Sequence, residues 1–168
     1  RGCHPRNRMA VTPPAPFVAP NLKALQIVTE RLILRVPRAD DLAAFNAMNS
    51  RNDVAAYLPR GVRTLDQSRR ALVADMAPRL AADDDVMTLA VERRRDQAFI
   101  GEGVVILRSI AHMGGEVGYV VHPDHRGNGY ATEITKALLG FGFGRVELHR
   151  IIGRIDARNG ASARVLEK

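Results

Sequence analysis

The run HPDHRGNGYATEI, residues 122–134, sets Arg126, Gly127 and Gly129 between a strand-like stretch and a helix-like one. A loop that opens a helix there leaves several amide N–H groups unpaired at the positive end of the helix dipole, an arrangement that suits a phosphate. The two glycines allow the backbone to approach an anion without a Cβ in the way, and Arg126 adds a charged donor. An ordinary turn with two glycines accounts for the same residues, so this loop alone leaves both readings open. A dinucleotide fingerprint fits poorly, because the third glycine of G-x-G-x-x-G would fall at Thr132 and no βαβ alternation precedes the loop. His122 and His125 are three apart, yet nothing beyond Asp124 stands near them at metal-ligand spacing, so no metal is expected.

The elements that must position this loop are legible from periodicity. RLILRV alternates from Arg31 to Val36 as a strand, with Leu32, Leu34 and Val36 on one face. Asp40 is placed to cap a helix through Leu42, Phe45 and Met48, and Thr64 with Gln67 forms a capping box for a second helix reaching toward Leu80. Pro78 should kink that helix or end it early. Val86–Glu92 and Ala98–Leu107 flank a polar turn as a hairpin, and a third strand spans Glu116–Pro123. A helix over about Thr132–Phe143, a strand over Arg150–Ala157 and a final helix start at NGASARVLEK complete the order. The expectation is an α+β (α/β) domain over residues 25–168, preceded by a tail over residues 1–24 that holds five of the nine prolines.

At 168 residues the chain suits one domain with one core, and its 46% hydrophobic and 26% charged content is that of a globular protein. No apolar run is long enough to span a bilayer and no signal-peptide pattern is present, so a cytoplasmic protein with no membrane partner is expected. The single cysteine, Cys3, excludes an intrachain disulfide and argues against a catalytic thiol. A net charge of +7 suits an anionic cofactor, a ribosome or nucleic acid, but aromatics are 5% and the arginines are scattered, so direct nucleic-acid binding is not expected.

TERLILR, EVGYVVHPDHRGNGYATE and ARNGASARVLEK, in that order, resemble the GNAT superfamily of acetyl-CoA-dependent N-acetyltransferases, and within it the branch containing the ribosomal-protein-alanine N-acetyltransferases. The resemblance implies a central mixed, mostly antiparallel sheet flanked by helices, with two parallel strands splayed around acetyl-CoA. Those strands would be Glu116–His122 and Arg150–Ala157. Asp124 stands where the family's loop, Q/R-x-x-G-x-G/A, usually has a donor, and Arg126 would compensate. Similar proteins continue past V-L-E-K into further strands, so part of the sheet and of the acceptor pocket is expected to be missing.

By this resemblance the pantetheine would bond backbone at Tyr119, Val120 and Val121, and the pyrophosphate would lie on Arg126, Gly127, Asn128, Gly129, Tyr130 and Ala131. The Val121 amide is a candidate oxyanion donor, although Val120 and Val121 serve a core equally well. Glu116 matches a glutamate that acts as general base through water, or it is simply a polar residue opening a strand; Glu102 is the reserve. Asn159 would bond pantetheine and Ser162 would protonate the departing thiolate, unless the pair only caps a helix. The implied reaction is acetyl transfer to an amine, with a protein N-terminus as one acceptor class and a homodimer compatible with it. A non-catalytic acyl-CoA sensor and a ribosome- or RNA-associated basic protein are the competing functions; an acetyl-transfer assay and salt-dependent RNA binding discriminate them.

Overall fold

The structure is a computed structural model and describes residues 17–168. Six strands form one sheet in chain order: β1 (Gln26–Val28), β2 (Leu32–Arg35), β3 (Asp85–Arg93), β4 (Ala98–Ser109), β5 (Gly114–Val121) and β6 (Arg150–Ile152). Every neighbouring pair is antiparallel except β5 and β6, which are parallel. The helices are α1 (Leu42–Asn49), α2 (Asn52–Ala55), α3 (Leu65–Asp75), α4 (Tyr130–Gly144) and α5 (Gly160–Leu166). This is the expected α+β architecture. Among the described residues no helix is long and apolar enough to cross a membrane.

The sheet separates two layers. On one face Ile134 and Leu138 of α4 lie over Gly103, and Leu34, Leu89, Val105 and Phe141 close the main core. Glu102, one residue before Gly103, points to the other face, where its Oε1 accepts from Asn49 Nδ2 of α1 at 2.6 Å. α1 in turn packs on α3 and β4.

Several local expectations hold. Thr64 and Gln67 cap α3 reciprocally, with Gln67 N donating to Thr64 Oγ1 at 3.3 Å and Thr64 N to Gln67 Oε1 at 2.8 Å. α3 stops at Asp75, before Pro78, as a proline lacking a donor requires. Other elements differ. Asp41, not Asp40, organises the start of α1: its carboxylate accepts from Arg38 N at 2.7 Å and from both terminal nitrogens of Arg35 at 2.7 and 2.8 Å. β6 spans three residues rather than eight, since the chain leaves β5 after Ile152. Within the expected tail, Leu22 is 4% exposed and joins the core whereas Val18 is 82% exposed, and residues 1–16 lie outside the described residues.

Candidate active site

The parting of two strands creates the site. β5 and β6 pair only at Gly114–Arg150, Gly115–Ile151 and Glu116–Ile152, after which Val117–Val121 run on without a β6 partner. His122 N donates to Ile100 O of β4 at 2.8 Å. Backbone groups of successive strand residues face opposite edges, so the amides of Tyr119 and Val121 face the opened edge. Val121 O accepts a long bond from Arg126 Nε there, at 3.4 Å.

The glycine loop follows directly. Gly127 and Gly129 have φ of +77° and +78°, left-handed values that cost a residue with a Cβ. Gly129 is the residue before α4, which starts at Tyr130, two residues earlier than expected. A Cβ added at Gly127 would meet no atom within 4 Å, so that side of the loop is open.

A cavity of about 440 Å³ joins these parts. Tyr119, Val120, Val121, Arg126, Gly127, Gly129, Tyr130 and Ala131 line it, and Asn159 and Ser162 face it from the start of α5. Asn159 Oδ1 accepts from Ser162 N at 3.0 Å, which is a helix cap, and Tyr119 Oη donates to Ser162 Oγ at 3.0 Å. Ser162 therefore keeps its own hydroxyl proton for another acceptor. Asp53, Val54, Tyr57 and Leu58 also line it, a region whose four-residue helix α2 is too short to leave a periodic signal in the sequence.

Three expected residues are not among those lining the cavity, although the Asn128 amide remains part of the glycine loop. Asn128 does not line the cavity: its carbonyl accepts from Arg31 Nη1 at 3.0 Å, and its side-chain amide donates back to His125 O and Arg126 O. Glu116 is also outside the lining. Its Oε2 takes Arg108 Nε at 2.8 Å and Arg154 Nε at 2.9 Å, so two guanidiniums flank the carboxylate at the last paired residue before the strands part. Glu102 is 5% exposed, and burial pushes its carboxyl above the usual range despite the Asn49 donor. His125 lines the cavity, and burial with the nearby Arg93 and His122 lowers its pKa. Among the described residues no group of three or more His, Cys, Asp or Glu is placed to hold a metal.

Comparison with known proteins agrees with this geometry. Residues 31–168 match the family model for an acetyltransferase (GNAT) domain. An uncharacterized N-acetyltransferase of Bacillus subtilis, YnaD, is 29% identical over 144 residues, which cover 86% of this chain and 81% of the relative. The crystal structure of a GNAT-family acetyltransferase from Bacillus anthracis superposes with a TM-score of 0.74 at 30% identity, covering 85% of this chain and 81% of that one. A spermidine N-acetyltransferase from Vibrio cholerae, solved with CoA and spermine, shares the fold with a TM-score of 0.70 at 20% identity, over 83% of this chain and 79% of that one. A matched domain of 138 residues, a sheet parted between β5 and β6 and a left-handed glycine loop at the parting together make this chain a member of the GNAT family of N-acetyltransferases, whose acetyl donor is acetyl-CoA.

Proposed function

We propose that the chain acetylates a primary amine by direct attack on acetyl-CoA held in the 440 Å³ cavity, with donor and acceptor bound together. One observation carries this reading: the same cavity is bounded by the unpartnered edge of β5, by both left-handed glycines and by the hydrogen-bonded Tyr119–Ser162 pair. The pyrophosphate would lie on the amides from Arg126 to Ala131, where the α4 dipole favours negative charge. The pantetheine would run along the open edge at Tyr119–Val121, with Asn159 at its side.

The amine nitrogen attacks the thioester carbonyl carbon, the carbon–nitrogen bond forms and negative charge collects on the carbonyl oxygen. Val121 N–H, aimed at the opened edge, is the donor for that charge. As the intermediate collapses the carbon–sulfur bond breaks and its electron pair leaves on sulfur. Ser162 donates its hydroxyl proton to the thiolate and takes one from Tyr119 in turn, a relay set up by their 3.0 Å hydrogen bond. The proton lost by the amine passes to solvent, and Tyr119 regains its proton from solvent, which restores the resting relay. An α-amine, with a pKa near 8, reaches the neutral form at neutral pH far more readily than a lysine near 10.4.

Glu116 has a different task in this scheme. Its carboxylate ties Arg108 of β4 to Arg154 beyond β6 and so holds the parting of the strands, leaving it poorly placed to take the amine proton. The resemblance to the ribosomal-protein-alanine branch favours a peptide N-terminus as acceptor, and the shared fold with a spermidine N-acetyltransferase makes a polyamine the second candidate. Incubation with acetyl-CoA and a panel of peptides and polyamines, followed by mass spectrometry, tests the proposal. An acetylated amine that requires the protein is expected. CoA binding with no acetylated product from any amine would contradict it.

A further inference from the structure

The side of the glycine loop away from the cavity carries a second arrangement. Arg31, in the turn between β1 and β2, reaches three points on the loop and on α4 at once. Its Nε donates to Glu133 Oε2 at 2.7 Å, its Nη1 donates to Asn128 O at 3.0 Å, and its guanidinium lies 4.8 Å from the Tyr130 ring centre. Glu133 is locked from the same turn, its Oε1 accepting from Thr29 Oγ1 at 2.6 Å and from Arg31 N at 2.9 Å. Arg31 does not line the cavity, whereas Gly129 borders the spaces on both sides of the loop.

Asn128 sits between the two left-handed glycines, where the backbone has the fewest steric limits on its orientation. In a trans peptide the carbonyl and the following N–H point in opposite directions. With Asn128 O fixed on Arg31, the Gly129 N–H must point away from Arg31, toward the cavity side of the loop. Were this peptide to flip, a carbonyl oxygen would face the anion in place of a donor. We infer that the Arg31–Glu133 clasp is a positioning device that holds the Asn128–Gly129 peptide in the orientation that receives the pyrophosphate. This rests on the cofactor placement proposed above, and it assigns Arg31 no contact with the cofactor.

A binding-competent fraction that falls to about a tenth raises the apparent Kd about tenfold. Calorimetric titration with two probes reads this directly: CoA, and a phosphate-free thioester, S-acetyl pantetheine. Arg31→Ala and Glu133→Gln are each expected to weaken CoA about tenfold while leaving S-acetyl pantetheine within about twofold, because only the phosphate-bearing probe uses the loop. The double variant should be no weaker than either single, since both break one network. A Glu133→Gln protein with wild-type CoA affinity beside a weakened Arg31→Ala would make Arg31 a direct phosphate ligand and overturn the clasp. Equal losses for both probes would also overturn it, in favour of a general structural role. Wild-type CoA affinity in both variants would end the clasp alone. A wild-type protein that binds S-acetyl pantetheine and CoA equally well would remove the pyrophosphate site, and the clasp with it.

Discussion

At the residue scale, Tyr119, Ser162 and Glu116 separate chemistry from support. Ser162 accepts from Tyr119 Oη and still owns a proton, so Ser162→Ala should lower kcat more than it raises the KM for acetyl-CoA. General acid contributions are typically about 10²- to 10⁴-fold, and steady-state kinetics at saturating acetyl-CoA should show a loss within roughly that range. Tyr119→Phe should follow in the same direction by less, because Ser162 can be reprotonated by water. Glu116→Gln predicts something else: a lower melting temperature and a rate loss that is the same at all pH values. A rate loss that vanishes above the acceptor's own pKa would make Glu116 the base after all. The type and spacing of Ser162 and the glycines were legible in the sequence. The partner of Ser162 was not, because Tyr119 and Ser162 are 43 positions apart and only the meeting of β5 with α5 brings their hydroxyls together. Arg31 was equally hidden: its run gives a clear strand, but nothing local says that it reaches across 102 positions to Glu133.

At the element scale, two junctions hold the sheet in register. Gly101 of β4 lies so close to β5 that an added Cβ would overlap the Val120 carbonyl oxygen. Gly101→Ala should therefore force the strands apart beside the Val121 amide, costing about 1–3 kcal/mol of stability together with activity, as chemical denaturation would show. The second junction is the buried set of Arg35, Asp41 and Glu92, which joins β2, β3 and the start of α1. Burial raises the Asp41 carboxyl, but the bonds from Arg35 and from the Arg38 amide outweigh it and leave its pKa below the ordinary value. A depressed folded pKa means stability that is present above the unfolded value of about 3.9 and is lost as pH falls through the folded value. Melting temperature should fall along that acid limb, and Asp41→Asn should flatten it while costing roughly 3 kcal/mol at neutral pH, because Arg35 keeps only one of its two carboxylate partners, Glu92. Alternation alone places Arg35 on the polar face of its strand. Its burial follows from partners contributed by distant elements, which periodicity does not report.

At the scale of the whole molecule, the order of strands and the long helix α4 were readable because each is a sustained periodic run. The short pieces β1, β6 and α2 were missed or misjudged, since three or four residues carry no period and tertiary contacts alone fix them. They matter to the site out of proportion to their length: the brevity of β6 opens the edge of β5, and α2 supplies part of the cavity lining. Acetyl-CoA that fills this gap should stabilise the fold by mass action, by about 2.7 kcal/mol at a hundredfold excess over Kd. For a chain of this size that is roughly 5–10 °C in Tm, which a thermal melt with and without the cofactor reads. The placement of the pyrophosphate on the glycine loop is the central claim, and Gly127→Ala tests it most directly: the added Cβ meets no other atom of the protein within 4 Å, and its cost to the free protein is the left-handed φ of +77°, which a melting curve of the variant reads. Calorimetric titration of acetyl-CoA into wild type and into folded Gly127→Ala is predicted to show tight saturable binding by the first and at least a roughly tenfold weaker Kd for the second, where the methyl group stands between backbone and phosphate. Equal affinity of the two proteins, with Gly127→Ala fully folded, would contradict the account.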